Sequence, residues 1–231
     1  PKRITPLMLA STHGHYDVVA YLLDNGAKVN RTDAFKKSAL IHAVTNGHIK
    51  IASYLLSKGA DFNGADSSKN TPLHYACAYG SEEMIDLLMQ AGAEVNSVNS
   101  WNITPIVTAL MKNHYGCLMK LTNYAGIDVN CQDDNGATLV ANCIVKFEQS
   151  SYEFAKLLIE QRNASPNICD FRGNNCMHIL AAIDVETKFE YQYNSYTEYT
   201  EARKSLKQRY IAFFNLLIDS GVEINEPNTV M

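Results

Sequence analysis

The chain has 231 residues, 46% of them hydrophobic and 19% charged, with a formal net charge of −4 and a pI near 6.0. That balance can bury a continuous core, and it argues against a general nucleic-acid surface, which would be strongly basic. No apolar run approaches the roughly 18 residues of a membrane-spanning helix, and no signal peptide opens the chain.

Along the chain one phrase returns at a fixed interval. Thr5-Pro6-Leu7-Met8-Leu9-Ala10 recurs as Ser38-Ala39-Leu40-Ile41-His42-Ala43, then Thr71-Pro72-Leu73-His74-Tyr75-Ala76, then Thr104-Pro105-Ile106-Val107-Thr108-Ala109. The opening residues fall at 5, 38, 71 and 104, a period of 33. Worn copies open at Thr138 and Asn175. Each opening residue suits a helix N-cap, and proline suits the first helical turn, where its missing N–H costs nothing. Gly14, Gly47 and Gly80 fall where this first helix should stop. Val18, Val19, Leu22 and Leu23 carry the 3-4 spacing of a second helix, ended by Gly26. A second phrase keeps step: Leu22-Leu23-Asp24-Asn25-Gly26-Ala27-Lys28-Val29-Asn30 matches the runs closing at Asn63 and Asn96, with weaker copies closing at Asn130, Asn167 and Asn225. The residues between each closing Asn and the next opening position form an extended finger with a turn at its tip.

The two phrases and their spacing resemble the ankyrin repeat, with its T-P-L-H-x-A start and L-L-x-x-G-A-D-x-N close. The resemblance implies an all-α solenoid of stacked helix-turn-helix repeats with β-hairpin fingers. It divides residues 1–231 into six repeats at about 1–30, 31–63, 64–96, 97–130, 131–167 and 168–225. A single repeat cannot bury its apolar face, so the core lies between neighbours. Neither end carries the polar face of a capping repeat, so the chain reads as a segment of a longer ankyrin-containing protein.

The period breaks in the last repeat. About 25 residues are added between its two helices, roughly Asp184 to Gln208. Glu186 to Tyr199 is rich in tyrosine, and from Glu201 a helical pattern of Leu206, Tyr210, Phe213, Phe214 and Leu217 predicts a second helix lengthened to about 200–219. The tyrosines either pack on that helix, or form a second contact surface or phosphorylation site. The step from Thr138 to Asn175 is also long, with Lys146-Phe147-Glu148-Gln149-Ser150-Ser151 where a short glycine turn is expected.

Catalytic signatures are missing from the sequence. No P-loop, G-x-G-x-x-G or G-x-S-x-G occurs. His13 and His15 lack further ligands for a metal. His74 and His178 occupy the His of T-P-L-H, which in the resembling family bonds backbone and Thr hydroxyls to fasten neighbouring repeats. The six cysteines show no C-x-x-C or framework spacing, and Cys77, Cys143 and Cys176 fall on core positions. Reduced thiols in an intracellular protein, cytoplasmic or nuclear, fit that pattern. The expectation is therefore a non-enzymatic chain with no cofactor and no metal.

What remains is recognition. In ankyrin arrays the finger tips and the exposed side of the first helices line a concave groove. Tip positions four, five and seven after each closing Asn are free of framework duty, and four of them here carry large apolar side chains: Phe35, Trp101, Ile103 and Phe171. With Tyr79, Met111, Lys112 and Arg172 they make the expected partner-binding set, and Lys112 and Lys146 give it a basic side. Such a set fits a protein or peptide with an apolar anchor and acidic flanks, rather than nucleic acid or a membrane; oligomeric state stays open. The alternative is a structural spacer or intramolecular dock in a larger protein, whose groove should be polar and featureless. Asn63 and Asn96 also sit in a context resembling that of hydroxylated ankyrin asparagines.

Overall fold

The recurring helix starts hold in the computed structural model, which describes residues 3–183 and 196–224. Among these residues there are twelve helices and almost no strand. They come in pairs: α1 (Pro6–His13) and α2 (Tyr16–Asp24), α3 (Ala39–Thr45) and α4 (Ile49–Ser57), α5 (Pro72–Tyr79) and α6 (Glu82–Gln90), α7 (Pro105–Met111) and α8 (Tyr115–Leu121), α9 (Leu139–Lys146) and α10 (Gln149–Arg162), α11 (Cys176–Ala181) and α12 (Tyr196–Asp219). The chain divides into two compact units, Pro1–Ile127 and Asp128–Met231.

In the first unit, α1, α3, α5 and α7 pack one on the next, and α2, α4, α6 and α8 do the same behind them. The opening phrase supplies the reason. Thr5 and Ser38 cap their helices by accepting from the amides of Met8 and Ile41 at 3.3 and 3.2 Å. The third and sixth residues of each phrase, such as Leu40 with Ala43 and Leu73 with Ala76, are buried between neighbouring first helices. Gly14 and Gly80 end α1 and α5 in the left-handed conformation, with φ of 76° and 73°.

The second unit holds α9 to α12, with α9 against α10 and α11, and α12 against α10 and α11. The lengthened second helix is present and begins at Tyr196, four residues before the expected start. Most of the tyrosine-rich stretch, residues 184–195, lies outside the described residues.

The fingers differ from the expected β-hairpins. Among the described residues the only bridge pair outside a ladder is Thr32 with Ser38. Each finger closes through two backbone bonds across its tip, Asp33 N–H to the Lys37 carbonyl and Lys36 N–H to the Asp33 carbonyl, a pair repeated at Asp66, Asn99, Asp133 and Asp170. Both bonds lie within the tip itself, and the loop is too tight for a ladder to build beyond it.

Candidate functional site

The finger tips are built around a side chain at a constant place, three residues after each closing Asn. Asp33 Oδ1 accepts from the amides of Phe35 and Lys37 at 2.8 and 2.9 Å. Asp66 does the same for Ser68 and Asn70, and Asn99 for Trp101 and Ile103. In the second unit Asp133 and Asp170 repeat the pattern. These Asx turns hold the tip residues outward, because the amides beneath them are already satisfied. The second carboxylate oxygen reaches the first helix: Asp33 Oδ2 to His42 Nε2 at 3.2 Å, and Asp66 Oδ2 to the Tyr75 hydroxyl at 2.7 Å. Burial together with this carboxylate pushes the Tyr75 phenol well above its ordinary range, so it stays a donor.

Finger and helix thus enclose a cleft of about 540 Å³ in the first unit. Ile4 and Phe35 form its apolar rim, Tyr75 and His42 its back, and Lys37, Ser67, Ser68 and Asn70 its sides, over the buried Asp33 and Asp66. The Lys37 ammonium lies 4.8 Å from the centre of the Tyr75 ring.

Phe35 and Lys37 are therefore brought into one cleft. Phe35 is 59% exposed and Trp101 53%, so neither ring packs away on a neighbouring finger. Tyr79 and Met111 end α5 and α7, and Lys112 caps α7; all three are exposed. Ile103 is half-buried, and its carbonyl accepts from His74 Nε2 at 2.9 Å. Phe171 and Arg172 belong to the second unit, both exposed, with the Phe171 ring against Gly136.

The framework residues are occupied internally. His74 Nδ1 accepts from the Thr71 amide while Nε2 donates to Ile103, an arrangement that suits the neutral ring, and burial lowers its pKa. His48 Nε2 donates to the Thr12 carbonyl and His114 Nε2 to that of Ala78, each fastening one helix pair to the previous one. The closing asparagines do the same: Asn30 Nδ2 donates to the Gly59 carbonyl and its Oδ1 accepts from the Asp61 amide. Asn63 Oδ1 accepts from Glu94 N–H, and Asn96 Nδ2 donates to the Gly126 carbonyl.

A family model for ankyrin repeats, in three copies, matches residues 7–99. Residues 7–99 of the chain carry ankyrin repeats. Its all-α repeat architecture agrees with that family, whose members are generally protein–protein interaction modules. No curated protein matches the chain. Among the described residues, no group of three or more His, Cys, Asp or Glu could hold a metal ion, and no helix is long and apolar enough to cross a membrane. No disulfide joins the six cysteines; Cys77, Cys117, Cys143 and Cys176 are buried, and burial pushes the Cys176 thiol up to about 12.

Two rows of tip residues were not singled out from the sequence. One is the Asx row just described. The other stands six residues after each closing Asn, where Lys36, Lys69 and Asn102 all have positive φ, as do Gly136 and Gly173. The signal for both was a constant offset from the closing Asn.

Proposed function

We propose that the face made by the fingers and first helices of residues 3–127 binds another protein, gripping a peptide or domain surface, and that the chain acts as an intracellular interaction scaffold rather than an enzyme. The helix pairs beyond Asn99 are diverged copies of the same repeat. The observation that carries this reading is the exposure of Phe35, Tyr79, Trp101 and Met111 on a face whose framework groups are bonded internally. Large exposed aromatics with no internal duty are what a contact surface requires, and such anchors contribute about 2 kcal/mol or more when a partner buries them. A spacer would show polar tips at these positions. Trp101, Ile103, Met111 and Lys112, with Tyr79 on the adjacent helix, form the centre of the proposed patch, and Phe35 extends it.

The test uses peptides selected from a random displayed library on the immobilised chain. Trp101→Ala should weaken a selected peptide at least about tenfold and leave thermal unfolding nearly unchanged, because the ring lies mostly in solvent. Early unfolding with full affinity in the folded fraction would make Trp101 a packing residue and remove the centre of the face.

A further inference from the structure

The left-handed row at the finger tips has a chemistry that its backbone does not explain. Gly136 and Gly173 occupy it in the second unit and Asn102 in the finger before α7, the residue types that adopt positive φ most readily. On the two fingers before it the same row reads Lys36 and Lys69, and Arg3 stands at the same offset ahead of α1, with φ of 60°, 61° and 48°. Long cationic side chains are poor choices for this conformation, so the backbone did not select them. All three are exposed.

Their fingers are held in register. The Ser67 amide donates to the Phe35 carbonyl at 2.8 Å, and Ser100 to Ser68 at 2.9 Å, so Lys36 and Lys69 stand on fingers stitched side by side. The nearby carboxylates do not neutralise them. Asp33 and Asp66 are buried and direct both oxygens to the amides of their own turns, His42 and Tyr75. The ion pairs His42–Asp33, Lys58–Asp24 and Lys120–Asp86 do not involve this row. Phe35 and Trp101 flank the lysines at the tips.

Building on the binding face proposed above, we infer that this row reads an acidic protein segment. An extended peptide lies across the fingers, its Asp or Glu side chains meet Arg3, Lys36 and Lys69, and an apolar side chain enters the cleft beside Phe35. A polyphosphate backbone fits less well. Three cations on a chain of net charge −4 are few for phosphodiester binding, and the apolar rim of Ile4 and Phe35 offers a pocket for a side chain.

The chain itself indicates the clean variant. Glycine already holds this conformation at 136 and 173, so Lys36→Gly with Lys69→Gly removes two charges without disturbing the turn. Peptides selected on the whole chain from a random displayed library should be enriched in Asp and Glu around an apolar residue. A fluorescein-labelled selected peptide should bind the double variant about tenfold more weakly, with a smaller dependence on salt and an unchanged melting temperature. Neutral or basic selected peptides, or unchanged affinity in the double variant, overturn the acidic assignment. If Trp101→Ala abolishes binding while the glycine variant does not, the binding face stands and the charge reading falls; if neither variant matters, both fall. An oligonucleotide that binds more tightly than any selected peptide, and loses that binding in the glycine variant, overturns the choice of a protein partner.

Discussion

The two units solve one problem with different materials. In residues 3–127 the joints between helix pairs are polar and recur in register: His48 to Thr12, His114 to Ala78, Asn30 to Gly59, His74 to Ile103. The second unit keeps the closing-Asn joints, with Asn130 accepting from Ser165 and Asn167 from Glu223, but ends its first helix, α9, differently. Where Gly14 and Gly80 end the first helices, Phe147 ends α9, still left-handed at φ 57° and fully buried. Its ring stacks on Phe213 at 5.9 Å, Tyr152 meets Phe213 edge-on at 5.1 Å, and Arg209 Nη1 donates to its carbonyl at 2.8 Å. A non-glycine residue in this conformation costs roughly 1–3 kcal/mol. Burying a Phe side chain recovers about 1.5–3 kcal/mol, so the aromatic cluster offsets the strain. The backbone demand of the repeat thus outlasts the residue that usually meets it. The lengthened α12 is part of the substitute, since Arg209 and Phe213 both lie on it.

The comparison breaks most visibly at Phe213. Phe213→Ala should cost about 3–5 kcal/mol, the penalty for an emptied aromatic site. Amide hydrogen exchange should quicken in α9 to α12 while α1 to α4 keep their protection. Uniform loss of protection would show that the two units open together.

His74 probes the polar joints of the first unit. His74→Leu leaves the Ile103 carbonyl and the Thr71 amide without their partner, at a cost of about 1–3 kcal/mol. The joint also carries a pH dependence. The folded ring has a pKa below its ordinary 6.5, so below that pH the unfolded chain takes up the proton and the folded chain resists it. Stability is whole above about pH 6.5 and falls as the solution is acidified toward the lowered value. Urea midpoints across pH 7.5 to 5 should decline in the wild type, and His74→Gln should flatten the curve.

The smallest effect separates conformation from packing at the glycine turns. Gly59→Ala meets nothing within 4 Å, so it should cost only the left-handed penalty, about 1 kcal/mol. At Gly80 a Cβ would stand 2.6 Å from His114 Nδ1, so Gly80→Ala adds displacement of that joint and should cost visibly more by denaturant titration. Equal losses would mean that the His114 joint yields freely.

Most of the helical framework was legible in the sequence because it is local and periodic. Caps at Thr5, Ser38 and Thr71, proline in the first turn, and apolar residues three apart each act within one helix, and repetition every 33 residues amplifies them. The lengthened last helix was visible for the same reason, although its first turn was not, since Tyr196 to Thr200 lacks the apolar spacing that marks the rest. The Asx row and the left-handed row escaped notice because neither carries a helical or strand period; their meaning lies in backbone hydrogen bonds that close a loop. The fingers were expected as β-hairpins; their tips close as turns of two backbone bonds with almost no ladder beyond, an outcome set by loop length.

The sequence by itself determined the repeat, its phase and the helix ends, because these follow from backbone preferences within a few residues. Tertiary structure decided what each free position does. Phe35 and Phe147 are the same side chain near a turn, yet one is 59% exposed and the other 1%. Phe35 is held outward by an Asx turn whose amides need nothing from it, whereas Phe147 is drawn in by Phe213 and Arg209 from 62 residues or more along the chain. Burial is a property of what packs alongside, and no local pattern encodes that.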